Sequence, residues 1–94
     1  MVVVVARYRA RVGNTEAVAA ALRDYVPLVH AEPGCLAFIV HRARDDLREF
    51  LLYEHYRDDA ALDAHRASAH FRAVARVRIW PLLERREAVL YDEL

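Results

Sequence analysis

Residues 50–71 read FLLYEHYRDDAALDAHRASAHF, and they set the reading of the whole chain. The stretch opens as an apolar, aromatic strand over 50–56, with Glu54 and His55 near its end. It breaks at Arg57-Asp58-Asp59, where the carboxylates suit a helix start. A short Ala-rich helix carrying His65 follows, with a pause at Ser68 and a second helix entered at His70-Phe71. Glu54, Tyr56 and His65 therefore crowd a strand-to-helix junction, which points to a small-molecule pocket there.

Working outward, residues 2–11 (VVVVARYRAR) combine β-branched valines with polar–apolar alternation and form a first strand. Val12-Gly13-Asn14 is a turn signal. A helix follows, with Asn14 or Thr15 as its cap and Val18, Ala21, Leu22, Tyr25, Val26 and Val29 as an apolar stripe. Pro27 is expected to kink or split it, and Glu32-Pro33-Gly34 ends it.

A second strand spans 35–42 with Leu36, Phe38 and Val40 on one face, and a loop at 43–47 leads to a third strand over 48–56. So short a link makes these two strands antiparallel neighbours. Helices are expected over 59–66 and, capped by Ser68, over 69–80, the latter with Phe71, Val74 and Ala75 inward and Pro81 stopping it. Residues 87–92 make a last strand. The order β, α, β, β, α(α), β is the α+β, ferredoxin-like split-βαβ pattern: a four-stranded antiparallel sheet with helices on one face. The other sheet face is left apolar and uncovered, and a homodimer with sheets face to face would bury it.

Bulk properties narrow the function. Ninety-four residues make one domain, 1–94. Fourteen basic and fourteen acidic residues give zero formal charge, with the arginines scattered, so nucleic acid is not an expected partner. Every basic residue is Arg, which excludes a lysine Schiff base and a P-loop. Cys35 is the only cysteine, so neither an internal disulfide nor a paired-cysteine zinc site is available, in keeping with the cytoplasm. No apolar run approaches the ~20 residues of a membrane span.

Residues 32–36 (EPGCL), 50–54 (FLLYE) and 58–71 (DDAALDAHRASAHF) resemble the antibiotic biosynthesis monooxygenase (ABM) domain, in its quinol monooxygenase-like branch. The resemblance implies a dimeric α/β barrel. It also implies oxidation of a quinol- or phenol-like aromatic substrate by molecular oxygen without metal, flavin or other cofactor. An electron-rich phenolate can itself give an electron to oxygen; the protein supplies a dry aromatic cavity and a base. Relatives often carry Trp where this chain has Tyr56, and the anthrone-oxidising branch has Asn and Tyr where this chain has Leu52 and Leu62. Ala75 stands where the haem-degrading branch has an iron-ligating His, which argues against haem degradation.

The candidate catalytic residues are His65 and Glu54. The candidate substrate-binding residues are Tyr56, Phe38, Leu52, Leu62, Phe71 and Trp80. His65 is either a base or a junction histidine holding a carbonyl or Ser68. Glu54 either orients His65 or is a structural carboxylate, and Trp80 either lines a cavity or plugs the packing. No metal site is expected: His65 and His70 are five residues apart, about 140° around a helix, and share no face. Two other functions remain open on this scaffold, a non-redox cyclase or isomerase and a non-catalytic ligand-binding dimer.

Overall fold

Every second residue of the first strand, β1 (Val2–Ala10), is buried: Val2, Val4, Ala6, Tyr8 and Ala10. Strand periodicity puts these on one face, and helices cover that face. The computed structural model describes all residues, 1–94. The helix α1 (Thr15–His30) buries Val18, Ala19, Ala21, Leu22, Tyr25 and Val29 against the sheet. Its start departs from expectation, because Asn14 is the N-cap residue but makes no side-chain cap bond. Nor does Pro27 split α1, which runs unbroken for 16 residues. Pro27 and Arg23 both lie on the exposed side, so the carbonyl that loses its donor there can meet water.

Strand β2 (Cys35–Arg42) pairs antiparallel with β3 (Glu49–Tyr56). The register shifts between Cys35 and Ala37. This bulge turns Leu36 out to solvent instead of placing it beside Phe38 and Val40 as the alternation predicts. On β3, Phe50, Leu52, Glu54 and Tyr56 all face inward. Asp58 caps the helix α2 (Asp59–Arg66), its carboxylate accepting from the Ala61 amide at 2.8 Å.

Ser68 joins α2 to the next helix. Its hydroxyl donates to the His65 carbonyl at 2.7 Å and accepts from the Phe71 amide at 3.1 Å. That helix, Phe71–Ile79, is π-wound rather than regular: the Trp80 amide reaches back five residues to the Ala75 carbonyl. Ala75 and Ile79 are its buried residues, with Phe71 and Val74 packed at the core margin. A 3₁₀ turn, Trp80–Leu82, contains Pro81 and leads into β4 (Leu83–Asp92). β4 begins four residues before the expected position 87. Its charged opening is held by neighbours instead of by burial: Glu84 accepts from Arg48 at 2.7 Å, and Arg85 reaches Glu49 at 2.9 Å.

The sheet order is β2-β3-β1-β4, antiparallel throughout, in the ferredoxin-like α+β arrangement. The sheet is open, with β2 and β4 as free edges. Its outer face carries the exposed apolar side chains Ile39, Val89 and Tyr91. No helix is long and apolar enough to cross a membrane.

The start of β2 presses directly on α2. A Cβ built on Gly34 would lie 2.3 Å from the Ala61 Cβ, far inside van der Waals contact. Gly34→Ala should therefore cost about 1–3 kcal/mol in urea unfolding by forcing α2 away from the sheet. Adding Ala61→Gly should recover part of that loss, whereas strictly additive losses would contradict the clash.

Candidate functional site

The inward face of β3 delivers a carboxylate into an apolar interior. Glu54 is only 6% exposed and accepts a hydrogen bond from the Tyr56 hydroxyl at 2.7 Å. Burial pushes the Glu54 carboxyl up to about 7, with the Tyr56 hydrogen bond opposing the shift. Burial also raises the Tyr56 phenol, reinforced by the Glu54 charge.

Across from Glu54, α2 turns its inner face, Ala61, Leu62 and His65, toward the sheet. His65 is 3% exposed and sits among aromatic rings, with centroids 5.0 Å from Tyr56 and 5.2 Å from Phe71. Its Nδ1 lies 2.8 Å from Oε2 of Glu32, in the turn after α1. The same oxygen meets Nε2 of His70 at 2.5 Å. A carboxylate only accepts, so both histidines donate to it and His65 carries its proton on Nδ1. Nε2 of His65 is thereby left with a lone pair, 3.5 Å from the Tyr25 hydroxyl and 3.7 Å from Glu54 Oε1. Burial lowers the His65 pKa, and the hydrogen bond it donates to Glu32 opposes that shift.

A cavity of about 460 Å³ opens between the helices and strands β1, β3 and β4. Glu54, Leu62, His65, Phe71 and Trp80 line it, together with Tyr8. Trp80 takes part in both ways considered for it, since it also packs edge-on against Phe71 and donates to the Tyr8 hydroxyl at 3.4 Å. Three expected binding residues are placed elsewhere. Tyr56 is wholly buried behind Glu54, which it supports by hydrogen bonding. Leu52 belongs to the core, and so does Phe38, which borders a separate groove between α1 and β2 with Leu22 and Val26.

Glu32, Tyr25 and His70 were not singled out from the sequence as site residues. Glu32 read as part of a helix stop, and Tyr25 as one member of an apolar stripe. The 140° separation of His65 and His70 assumed one continuous helix. The chain breaks at Ala67-Ser68, and both rings converge on Glu32. Glu32, His65 and His70 each offer one ligand atom, all within 4.8 Å of one another, so they are the set that could hold a divalent cation. Their mutual hydrogen bonds already account for the grouping, because one oxygen satisfies both imidazoles.

The ferredoxin-like sheet, the buried histidine–carboxylate cluster and the aromatic-lined cavity together define the class: a small α+β protein with a candidate site between sheet and helices. Residues 1–77 match the antibiotic biosynthesis monooxygenase family, and the chain belongs to that family. It is 35% identical over 88 residues to the "Putative monooxygenase Rv0793" of Mycobacterium tuberculosis, covering 94% of this chain and 85% of that protein. The solved structure of Rv0793 superposes with a TM-score of 0.92 at 32% identity, over 99% of this chain and 94% of that one. PA3566 from Pseudomonas aeruginosa matches with a TM-score of 0.91 at 33% identity, over 99% of this chain and 93% of that one. Family membership and these relatives support a monooxygenase-type function.

The Glu54 shift has a sign that can be checked. Its folded pKa lies above the ordinary carboxylate value, so the folded state holds the extra proton and stability falls as pH rises from about 4.5 to about 7. His65 is shifted the other way, and its stability contribution is lost as pH falls below its unfolded value. The difference between Glu54→Gln and the unmodified protein isolates the Glu54 titration from that of His65, apart from their 3.7 Å contact. That difference should favour the Gln variant by up to about 3 kcal/mol more at pH 8 than at pH 4.5 in chemical denaturation. A pH-independent difference would contradict a buried, proton-holding Glu54.

Proposed function

We propose that this protein is a cofactor-independent monooxygenase that oxidises a quinol- or phenol-like aromatic substrate with molecular oxygen. The observation that carries the proposal is the Nε2 lone pair of His65, a residue lining an aromatic cavity, with Nδ1 held by Glu32 and only a long 3.5 Å contact from the Tyr25 hydroxyl at Nε2. The substrate hydroxyl gives its proton to Nε2, and the imidazolium that forms is stabilised by the Glu32 carboxylate. The resulting phenolate is the reductant. A quinol and one O₂ yield a hydroxyquinone and one water, so one oxygen atom enters the ring and the other leaves as water. Glu54, poised to exchange a proton near neutrality, holds the proton passed across the gap from His65. Leu62, Phe71 and Trp80 form the apolar wall that keeps bulk water from the reacting ring.

The outer sheet face supports a homodimer as the working form. Val89 and Tyr91 of β4 pair in register with Val5 and Val3 of β1, making an apolar surface that no element of this chain covers. Two copies packed through it would complete the dimeric barrel. A sedimentation run that returned only monomers would count against that assembly.

An acid–base pair such as Glu54 and His65 would equally serve a proton-moving cyclase or isomerase, and oxygen consumption separates the two chemistries. Metal-stripped protein should consume O₂ with at least one member of a hydroquinone and anthrone panel, and His65→Ala should slow that uptake by about 10²–10⁴-fold. Turnover that persists under strict anaerobiosis, or uptake unchanged in His65→Ala, would refute the assignment.

A further inference from the structure

The cavity is chemically polarised. Its buried end holds Glu54 and His65. Its exposed end holds three arginines from three different elements: Arg66 at the end of α2, Arg76 on the π-helix and Arg86 on β4. None of these guanidiniums is paired with a carboxylate, whereas Arg9, Arg42, Arg48, Arg78 and Arg85 are. Two of the three flank one indole: the Arg86 guanidinium carbon lies 3.5 Å from the Trp80 ring centroid, and that of Arg76 lies 5.9 Å away.

A guanidinium stacked on a ring face keeps its in-plane N–H donors free for another partner. Glu54, the one carboxylate in the lining, is buried and engaged by Tyr56, and of the three arginines only Arg66 is near enough to act on its charge. Three cations from separate elements, converging on an apolar cavity and none of them in a salt bridge, form a receptor for an anion.

We propose that the substrate carries an anionic group, a carboxylate or a phosphate, on its aromatic nucleus. Arg66, Arg76 and Arg86 hold that group at the cavity mouth, which directs the oxidisable hydroxyl inward to His65. This assignment rests on the proposed use of the cavity as the substrate site and adds its specificity. The two anions share one recognition chemistry, charge-assisted hydrogen bonding to the guanidinium edge. Orientation follows, because a neutral ring could enter either end first, whereas an anionic ring would be turned away from the Glu54 end.

The test is calorimetric titration of the full chain with three matched naphthalenes: 6-hydroxy-2-naphthoate, 6-hydroxy-2-naphthyl phosphate and the neutral 6-hydroxy-2-naphthamide. At least one anion should bind about tenfold or more tightly than the amide at low salt, with the preference shrinking at 0.5 M NaCl. The tighter of the two anions identifies the group. In Arg76→Met/Arg86→Met the preference should fall below about threefold while amide affinity is kept. Arg86→Lys, which retains the charge, should restore part of it and serves where the double variant is too unstable to assay. Equal or tighter binding of the amide, or a preference that survives both Met substitutions, overturns the anion assignment and leaves the cavity as the substrate site. Failure of all three compounds to bind overturns both.

Discussion

One carboxylate oxygen organises the interior. Glu32 Oε2 accepts from His65 and His70 together, and the three groups arrive from the turn after α1, from α2 and from the start of the π-helix. Burying an imidazole without a partner is costly, so the cluster must be complete for the layers to close. Completion also dictates chemistry. Once Nδ1 is committed to Glu32, only the Nε2 lone pair remains, on a residue that lines the cavity. The same bonds that join the helical layer to the α1 turn thus leave a basic nitrogen on a cavity-lining residue.

Close backbone approach makes that cluster possible. Gly34 follows Glu32 by two residues and admits Ala61 against the chain, which brings α2 down onto the sheet. Ser68 then bonds in both directions, ending α2 and starting the π-helix, so the positions of His65 and His70 are set by one hydroxyl. The π-winding carries Phe71 to one side of His65 and the chain onward to Trp80, which closes the apolar wall. Function and fold share residues here, and the acidic partner lies more than thirty positions from the histidine it holds.

Much of the architecture was legible from periodicity. The inward stripe of α1, the alternation on β1 and β3 and the Asp58 start of α2 follow directly from spacing and capping chemistry. Local rules failed where a tertiary contact decided the outcome. Leu36 leaves the Phe38 face because of a bulge that no composition signals. The Glu84–Glu87 segment is strand because its charges find cross-strand partners, although its polarity reads as loop. The site was legible in part. His65 and Glu54 stand out as ionisable groups at a junction. Glu32 hides in a turn motif whose proline and glycine explain it sufficiently, and His70 is separated from His65 by a break that a helical wheel ignores. Tyr56, expected on the cavity wall, supports Glu54 from behind, a distinction that depends on depth and not on sequence position.

The tautomer of His65 tests this account most directly. Long-range ¹H–¹⁵N correlation spectra of the uniformly labelled protein at pH 7 distinguish a proton on Nδ1 from one on Nε2 and from an imidazolium. The Glu32 bond and the depressed pKa predict a neutral His65 protonated on Nδ1, with the lone pair on Nε2. A His65 protonated on Nε2, or doubly protonated at that pH, would mean that Glu32 does not set the base and would contradict the account at its centre.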